Sequence, residues 1–451
     1  MYSFSVSFTV LFVPLVLLVW DPSSFFRRWL LLEALYWIYY NRKQASAQEL
    51  RSVPSMTEQE RESLIRQCLA TTGTDFVRGW FYFKSKSAKN TDSSGERIYP
   101  PIESIQLENM HEWLSWGLFG KSSVKDLCPE ERRQLVGISS MIEAQFMSQT
   151  GQGFDQGYND SIAVVRLDGP VSSFWKPLAI FFFLQAVWLT GACLCYLKGF
   201  RYKRFGEVKY WIKETSSSSN KCPVVFSHGI GFGLVPYLFY HPLVKKTDRT
   251  WILVELPDRP HIRHISSYTV PEDYAQTVRG IIRSHGYEDA HFIGHSIGTI
   301  YLTWVLRFQP GLAKSFVMID PISLLLHRSE VLWNFLYKMK FTSPEGLRQK
   351  ILDFLLKNDL NVSYRLRRCF WWHKNILWIE DVPQDLPHIV FIGGQDEYIP
   401  AEDVRKYVLK AGMSESNVIY EPEAKHGSFV MKKKYRELVI SNLVPFFNSM
   451  G

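Results

Sequence analysis

The stretch AHFIGHSIG, residues 290–298, decides the fold expected for this chain. It begins as an apolar strand and continues through the pattern G-x-S-x-G, formed by Gly294, Ser296 and Gly298, into a helical run. Glycines suit this strand–turn–helix unit because larger side chains would collide with the neighbouring strand and helix. Such a tight turn lifts the serine hydroxyl clear of the backbone, so Ser296 is predicted to be a nucleophile.

Strand and helix patterns alternate around this unit, from about residue 205 to the end of the chain. This alternation is typical of the α/β class, with a mostly parallel sheet covered by helices on both faces. The predicted strands are VKYWIKE (208–214), CPVVFSHG (222–229), WILVELP (251–257), SFVMIDP (315–321), HIVFIGGQDEYIP (388–400) and VIYEPEAKHG (418–427). A helix is predicted over residues 274–286, and another closes the chain to about residue 447.

A serine hydroxyl becomes a good nucleophile only when a base takes its proton, and a carboxylate usually orients that base. Asp396 and His426 each follow a predicted strand, so both should lie at the carboxyl edge of the sheet, where such folds place their chemistry. The chain order Ser296, Asp396, His426 is the order expected for this arrangement. Asp320, at the end of the strand before, remains the alternative acid.

The loop His228-Gly-Ile-Gly-Phe-Gly233 supplies a second feature of this chemistry. A tetrahedral oxyanion needs backbone N–H donors from the residue after the nucleophile and from a loop such as this one. We therefore predict Ile297 and Ile230 as the donors of the oxyanion hole. His228 stands at the strand end ahead of the loop, so an orienting hydrogen bond is expected of it rather than catalysis.

The motifs SHGIGFG, GHSIG, GGQD and KHG match the α/β-hydrolase superfamily in identity and order. About residues 200–450 resemble its serine hydrolases, in particular a membrane-anchored, lipase- or esterase-like branch. The resemblance implies an acyl-enzyme mechanism on esters, thioesters or amides, with no cofactor and no metal. Ser296 distinguishes the chain from the epoxide hydrolases and haloalkane dehalogenases of this fold, which use an aspartate nucleophile. The acyltransferase pattern H-x-x-x-x-D is disfavoured because Met431 is the fifth residue after His426.

Residues 326–385 interrupt the predicted sheet with helical, aromatic-rich sequence, which indicates a lid of the catalytic domain at 198–451. Three arginines stand here beside three aromatic residues: Arg365, Arg367, Arg368, Phe370, Trp371 and Trp372. They could dock on an anionic bilayer and open a path for lipid. Alternatively, the aromatic residues pack on the domain and the arginines are solvated.

The segments ahead of the catalytic domain are predicted to attach the chain to a membrane. Residues 2–20 are apolar and long enough to span a bilayer, with a cleaved signal as the alternative. Residues 29–40 are predicted to be an interfacial helix, so 1–43 is assigned as an anchor region. A small helical region is expected at 44–176, with a capping box at Thr57–Glu60 and a helix from Pro129. The uncharged run at 177–197 is the strongest spanning candidate, with a buried helix as the alternative.

The net charge of +8 and the pI of about 9.0 favour an anionic membrane surface over nucleic acid, since no nucleic-acid module is found. Basic residues follow residue 197 directly, which predicts a catalytic domain facing the cytosol from an intracellular membrane. Arg27 and Arg28 also follow their apolar segment, so the two segments cannot both be simple crossings in this orientation.

The sequence therefore predicts a membrane-associated serine hydrolase of carboxylic esters, with a lipid acyl ester or another hydrophobic ester as its substrate. Two alternatives remain open. One is a catalytically inactive hydrolase-fold protein that serves as a membrane scaffold or binds lipid. The other is a thioesterase or acyltransferase that uses the same Ser296.

Overall fold

The computed structural model describes residues 22–49, 54–84, 90–91, 97–171, 173–215, 221–257, 270–338 and 353–450. The predicted spanning segment at 2–20 lies outside these ranges. So does the middle of the predicted lid, residues 339–352.

A central sheet of eight strands organises the chain from β3 to β10, in the order β10-β9-β8-β7-β5-β6-β4-β3. The strands are β1 (Phe81–Phe83), β2 (Ile162–Val164), β3 (Arg201–Phe205), β4 (Val208–Lys213), β5 (Val224–Ser227), β6 (Trp251–Glu255), β7 (Ala290–His295), β8 (Ala313–Ile319), β9 (His388–Gly393) and β10 (Val418–Glu421). Strands β5 to β10 pair in parallel, whereas β4 pairs antiparallel with both β3 and β6. The predicted α/β class with a mostly parallel sheet is confirmed.

Helices cover both faces of this sheet and build the region ahead of it. They are α1 (Pro22–Ser46), α2 (Glu58–Thr72), α3 (Asp75–Gly79), α4 (Leu107–Phe119), α5 (Pro129–Thr150), α6 (Leu178–Leu197), α7 (His241–Thr247), α8 (Pro271–Ser284), α9 (Gly298–Phe308), α10 (Glu330–Leu332), α11 (Leu360–Arg368), α12 (Trp372–Asn375), α13 (Ala401–Lys410), α14 (Ser428–Met431) and α15 (Lys433–Asn448). Short π-helical turns, Trp333–Tyr337 and Asp353–Lys357, occur in the lid, and a 3₁₀ turn, Val235–Tyr240, follows β5.

Successive residues of a strand pack into two separate cores, because side chains of a strand alternate between its two faces. Tyr210 and Ile212 of β4 join the core that contains α8 and α9, whereas Trp211 joins the core that contains α7 and α15. The same two-sided burial explains why the parallel strands β5 to β9 are mostly apolar in sequence.

The helical region ahead of the sheet shares a core with the lid. Trp80 is fully buried, and its ring lies 5.6 to 6.1 Å from the rings of Trp113, Trp116 and Trp372. Its indole N–H donates to the backbone oxygen of His327, at the start of the lid, at 2.8 Å. A small helical region was predicted here, but the region also contains strands. β1 and β2 form a two-stranded antiparallel sheet beside these tryptophans.

The predicted lid arginines are buried rather than exposed. Arg365 donates to the hydroxyl of Tyr301, and Arg368 donates to the backbone oxygens of Ala47 and Gly169. The prediction that these arginines dock on a bilayer is therefore wrong for this conformation. The alternative of solvated arginines is wrong as well. The guanidinium groups of Arg367 and Arg368 bind backbone oxygens of the chain ahead of the sheet, and that of Arg365 binds Tyr301 of α9.

Helix α6 meets α1 at its first turn. The Glu33 carboxylate accepts the backbone N–H of Leu178 at 3.0 Å, at the helix end where the dipole favours a negative charge. The rings of Tyr36 and Phe181 meet edge to face at 5.6 Å. Glu33, the charge within the predicted interfacial segment, thus caps the next apolar helix.

Among the described residues, α6 is the one helix long and apolar enough to cross a membrane, and 22% of its most apolar stretch is buried. Length and composition set this criterion, and the core helix of a soluble protein also meets it. Most of the basic run that follows α6 forms the edge strand β3, Arg201–Phe205, which was not predicted from the sequence.

Replacing Trp80 with alanine should lower the free energy of unfolding by about 3–5 kcal/mol, because a large buried ring and its cavity are lost. Denaturation followed by circular dichroism measures this change. The control Val136→Ala, at a surface position of α5 that is 53% exposed, should alter stability by less than about 0.5 kcal/mol. Equal stability of the two variants would contradict the shared core.

Candidate active site

Ser296 stands in the tight turn between β7 and α9. Its φ of 53° lies in the left-handed region that residues with side chains rarely adopt. The turn needs Gly298, because a Cβ there would lie 2.2 Å from the backbone oxygen of Ser227 on β5. A Cβ on Gly294 would lie 2.7 Å from the oxygen of Gly298. The collisions foreseen from the sequence are therefore those that the turn avoids.

The structure brings the three predicted residues Ser296, His426 and Asp396 into one chain of hydrogen bonds. His426 Nε2 lies 2.8 Å from Ser296 Oγ, and His426 Nδ1 lies 2.6 Å from Asp396 Oδ2. The other Asp396 oxygen accepts the backbone N–H groups of Tyr398 and Ile399 at 2.8 and 3.1 Å. These bonds fix the carboxylate in a turn after β9, with one oxygen directed at the imidazole.

The charges around His426 favour its protonated form. Burial alone lowers the pKa of an imidazole, but the carboxylates of Asp396, Asp320 and Glu397 outweigh it and raise the pKa of His426 to about 9. The proton is held on Nδ1 by Asp396 in the neutral form, which leaves Nε2 free to accept the proton of Ser296.

Asp320, the alternative acid, is fully buried at the end of β8 but does not hydrogen-bond the imidazole of His426. Its Oδ2 accepts the backbone N–H of Gly427 at 2.7 Å. Carboxylate and imidazole atoms of Asp320, Asp396 and His426 all lie within 4.8 Å of one another, a spacing compatible with a metal ion. Both nitrogens of His426 are engaged by Ser296 and Asp396, so this donor set fits proton transfer better than metal binding.

The predicted oxyanion donors lie on two elements that meet beside Ser296. Ile297 precedes the first turn of α9, and Ile230 lies in the loop after β5. His228 anchors that loop, because its Nδ1 lies 2.7 Å from the backbone oxygen of Gly229 and its Nε2 accepts the N–H of Leu256 at 2.9 Å. His228 thus makes orienting hydrogen bonds at the strand end.

Side chains of the predicted lid lie next to the site. The ring of Phe335 lies 5.6 Å from the ring of Tyr398, which in turn meets the His426 ring edge to face at 4.9 Å. On the other side, a Cβ on Gly231 would lie 3.4 Å from Leu356 Cδ1. Apolar side chains of the predicted lid therefore lie against Tyr398, which contacts His426, and beside the predicted oxyanion loop at Gly231.

Two polar residues beside the site did not emerge from the sequence as candidates. His295 lies directly ahead of Ser296, within the quoted pentapeptide, so its position was a usable signal. Tyr237 lies in the 3₁₀ turn after the oxyanion loop and carries no motif. The Tyr237 hydroxyl oxygen lies 2.7 Å from His295 Nδ1.

Residues 224–438 match the model of the alpha/beta hydrolase family. This chain carries an α/β-hydrolase domain. The match spans β5 to the start of α15, and so includes Ser296, Asp396 and His426. No curated protein matches the chain by sequence.

Solved structures give distant likenesses to this α/β-hydrolase chain. A candidate lipase from Acinetobacter baumannii is 16% identical, with 59% of this chain and 96% of that chain covered and a TM-score of 0.43. A membrane phospholipase A, described as a bacterial virulence factor, is 16% identical, with 59% and 94% covered and a TM-score of 0.42. Naproxen esterase from Bacillus subtilis is 14% identical, with 58% and 98% covered and a TM-score of 0.38. These likenesses do not bear on substrate.

The raised pKa of His426 predicts the pH dependence of Ser296 reactivity. A protonated imidazole cannot accept the serine proton, so reactivity should rise as the pH rises through the pKa of His426. The rate of labelling by a fluorophosphonate probe, measured between about pH 6 and pH 10, should show a midpoint well above the ordinary histidine value of 6.5. A midpoint at or below that value would contradict the arrangement of charges.

Proposed function

We propose that this α/β-hydrolase domain hydrolyses carboxylic esters, with Ser296 as nucleophile, His426 as general base and Asp396 as the orienting acid. The observation that carries the proposal is the unbroken chain of hydrogen bonds from Ser296 Oγ through His426 to Asp396. The strained turn at Ser296 and the matched family support the same assignment.

The reaction follows the acyl-enzyme course. Ser296 Oγ attacks the ester carbonyl while its proton passes to His426 Nε2, and the oxyanion accepts hydrogen bonds from the N–H groups of Ile230 and Ile297. The C–O bond to the alcohol then breaks, and His426 returns the proton to the departing alcohol. Water attacks the acyl-enzyme by the same route in reverse, which releases the carboxylic acid and restores the serine.

We further propose that the substrate is a lipid acyl ester. The apolar lid side chains Phe335 and Leu356 lie near the base and the oxyanion loop, where they would contact an acyl chain bound to Ser296. Burial of such a chain contributes roughly 0.8 kcal/mol for each methylene removed from water. The lid thus favours long acyl groups over short ones.

A membrane location accompanies this proposal. Helix α1 exposes a run of large apolar side chains: Phe26, Leu30, Leu31, Leu32, Leu35, Trp37 and Ile38. On α6 and the segment before it, exposed apolar residues are Phe174, Trp175, Phe183, Leu194, Tyr196 and Leu197. Apolar surface of this extent on two contacting helices is unusual for a soluble protein and fits insertion into a bilayer.

We propose that the catalytic domain faces the cytosol from an intracellular membrane. Lys198 and Arg201 follow the end of α6 directly, and cytoplasmic flanks carry an excess of such residues. Protease treatment of sealed membrane vesicles tests the orientation. Digestion of the catalytic domain from the cytosolic side supports it, and protection there would contradict it.

The activity is tested by comparing the purified chain with its Ser296→Ala variant on acylglycerols, lysophospholipids and short esters. Loss of the nucleophile should lower kcat by about 10³-fold or more and abolish fluorophosphonate labelling. Ser414→Ala, at an exposed serine, is the matched control and should retain activity. Equal turnover by the Ser296→Ala variant would refute the mechanism, and turnover of short esters alone would refute the lipid substrate.

Two further outcomes identify the alternatives. A folded wild-type protein that no fluorophosphonate labels would indicate an inactive scaffold. Acyl transfer from acyl-CoA to water or to an alcohol, with no ester hydrolysis, would indicate a thioesterase or acyltransferase that uses Ser296.

Membrane attachment through α1 is tested by introducing charge on its exposed face. Leu31 and Leu35, 61% and 55% exposed, lie one turn apart, and Leu31→Glu with Leu35→Glu should move protein from the vesicle-bound to the soluble fraction in flotation assays. Val136→Glu, at a position on α5 that is 53% exposed, is the matched control and should not change the distribution. An unchanged distribution of the α1 variant would contradict a contribution of this face.

A further inference from the structure

We infer that Tyr237, His295 and Asp320 form a positioning network. The network fixes the relative positions of the oxyanion loop (228–233), the turn at Ser296 and the loop that carries His426. This inference rests on the proposed function, since it assigns these residues a role in the same hydrolytic reaction. None of the three contacts Ser296 Oγ through a described hydrogen bond, so each acts through its neighbours.

Four short contacts define the network. The backbone N–H of Gly229 donates to the Tyr237 hydroxyl at 2.7 Å, and that hydroxyl lies 2.7 Å from His295 Nδ1. His295 Nε2 lies 3.4 Å from Asp320 Oδ2, which is an electrostatic contact rather than a well-formed hydrogen bond. The same Asp320 oxygen accepts the N–H of Gly427 at 2.7 Å.

The ends of the network are chain neighbours of the reacting groups. Gly229 directly precedes Ile230, a proposed oxyanion donor, and Gly427 directly follows His426. The middle member, His295, directly precedes Ser296. A shift at any contact would therefore move a donor, the base or the nucleophile.

Chemistry fixes the direction of the hydrogen bonds. A carboxylate faces His295 Nε2, so the proton lies on Nε2, and Nδ1 accepts from the Tyr237 hydroxyl. Burial lowers the pKa of His295 and raises the pKa of Tyr237, so both stay neutral and keep these roles. The phenol oxygen is then free to accept the N–H of Gly229.

Local packing is adapted to this network. A Cβ on Gly229 would lie 2.8 Å from His295 Nδ1 and 3.0 Å from the Tyr237 hydroxyl, so only glycine allows the oxyanion loop to approach them. Asp320 adopts a φ of 49°, which is strained for a residue with a side chain. Such strain persists where the surroundings demand one conformation, as at functional sites.

Asp320 also has an electrostatic role. Its Oδ1 is buried and makes no hydrogen bond, so the carboxylate gains from a nearby cation. The imidazolium that forms on His426 during the reaction is such a cation. Among the described residues, the carboxylates that act on His426 are those of Asp320, Asp396 and Glu397. Ser296 Oγ and the rings of His295 and Tyr398 lie against the imidazole, and the Lys357 ammonium group lies over the Tyr398 ring.

The experiment compares the full-length wild type in detergent with Tyr237→Phe and Asp320→Asn, two nearly isosteric changes. Tyr237→Phe should lower kcat about tenfold or more with little change in KM, because a loosened oxyanion loop weakens only the transition state. Its pH profile should not move, since no charge is lost. Asp320→Asn should lower kcat and shift the acid limb to lower pH, because a negative charge beside His426 is removed.

Tyr407→Phe is the matched control, because its hydroxyl also accepts a backbone N–H, from Ile379, and donates to a carboxylate, that of Glu380, away from the site. The network is overturned if Tyr237→Phe keeps the kcat of this control, or if Asp320→Asn leaves the acid limb in place. Should Asp320→Asn fail to fold, the kcat of Tyr237→Phe alone decides. A wild type that fluorophosphonate does not label would refute the proposed function instead.

Discussion

The close approach of Gly298 to the backbone of β5 is the constraint on which the site depends. A Cβ at Gly298 would lie 2.2 Å from the Ser227 oxygen, so the first turn of α9 can reach the sheet only because this residue has no side chain. That approach sets the strained conformation of Ser296 and aligns the start of α9 with the loop after β5. One packing contact therefore positions Ser296, the proposed nucleophile, and the segments that carry both proposed oxyanion donors.

Most strands of the central sheet and the three candidate site residues could be predicted from short stretches of sequence. Strands β5 to β9 could be read from short apolar runs, since parallel strands are buried on both faces, and β4 could be read from its alternating pattern. Ser296, Asp396 and His426 could be named because parallel strands deliver their following loops to one edge of the sheet. Chain order then paired each residue with a role, and the structure places the three side chains in contact.

Features that depend on distant partners could not be predicted. Arg365, Arg367 and Arg368 look like surface residues in sequence, but carbonyl groups of the chain ahead of the sheet bind two of them inside the protein. Strand β3 is basic and mostly exposed, so only its pairing with β4 identifies it. Tyr237 belongs to the site through a single hydroxyl, and no periodicity or motif marks such a residue.

Asp320 and Asp396, at the carboxyl edge of the sheet, both lie near His426 but form different hydrogen bonds. Asp320 and Asp396 follow β8 and β9, which pair in parallel, so position alone brings both near His426. Backbone donors separate them, because the turn after β9 holds one Asp396 oxygen and leaves the other for the imidazole, whereas Asp320 is bound by Gly427. Both charges raise the pKa of His426, the proposed base. The imidazole therefore stays protonated to a higher pH, and a smaller fraction of it can accept a proton at neutral pH. In its neutral form, however, it is a stronger proton acceptor.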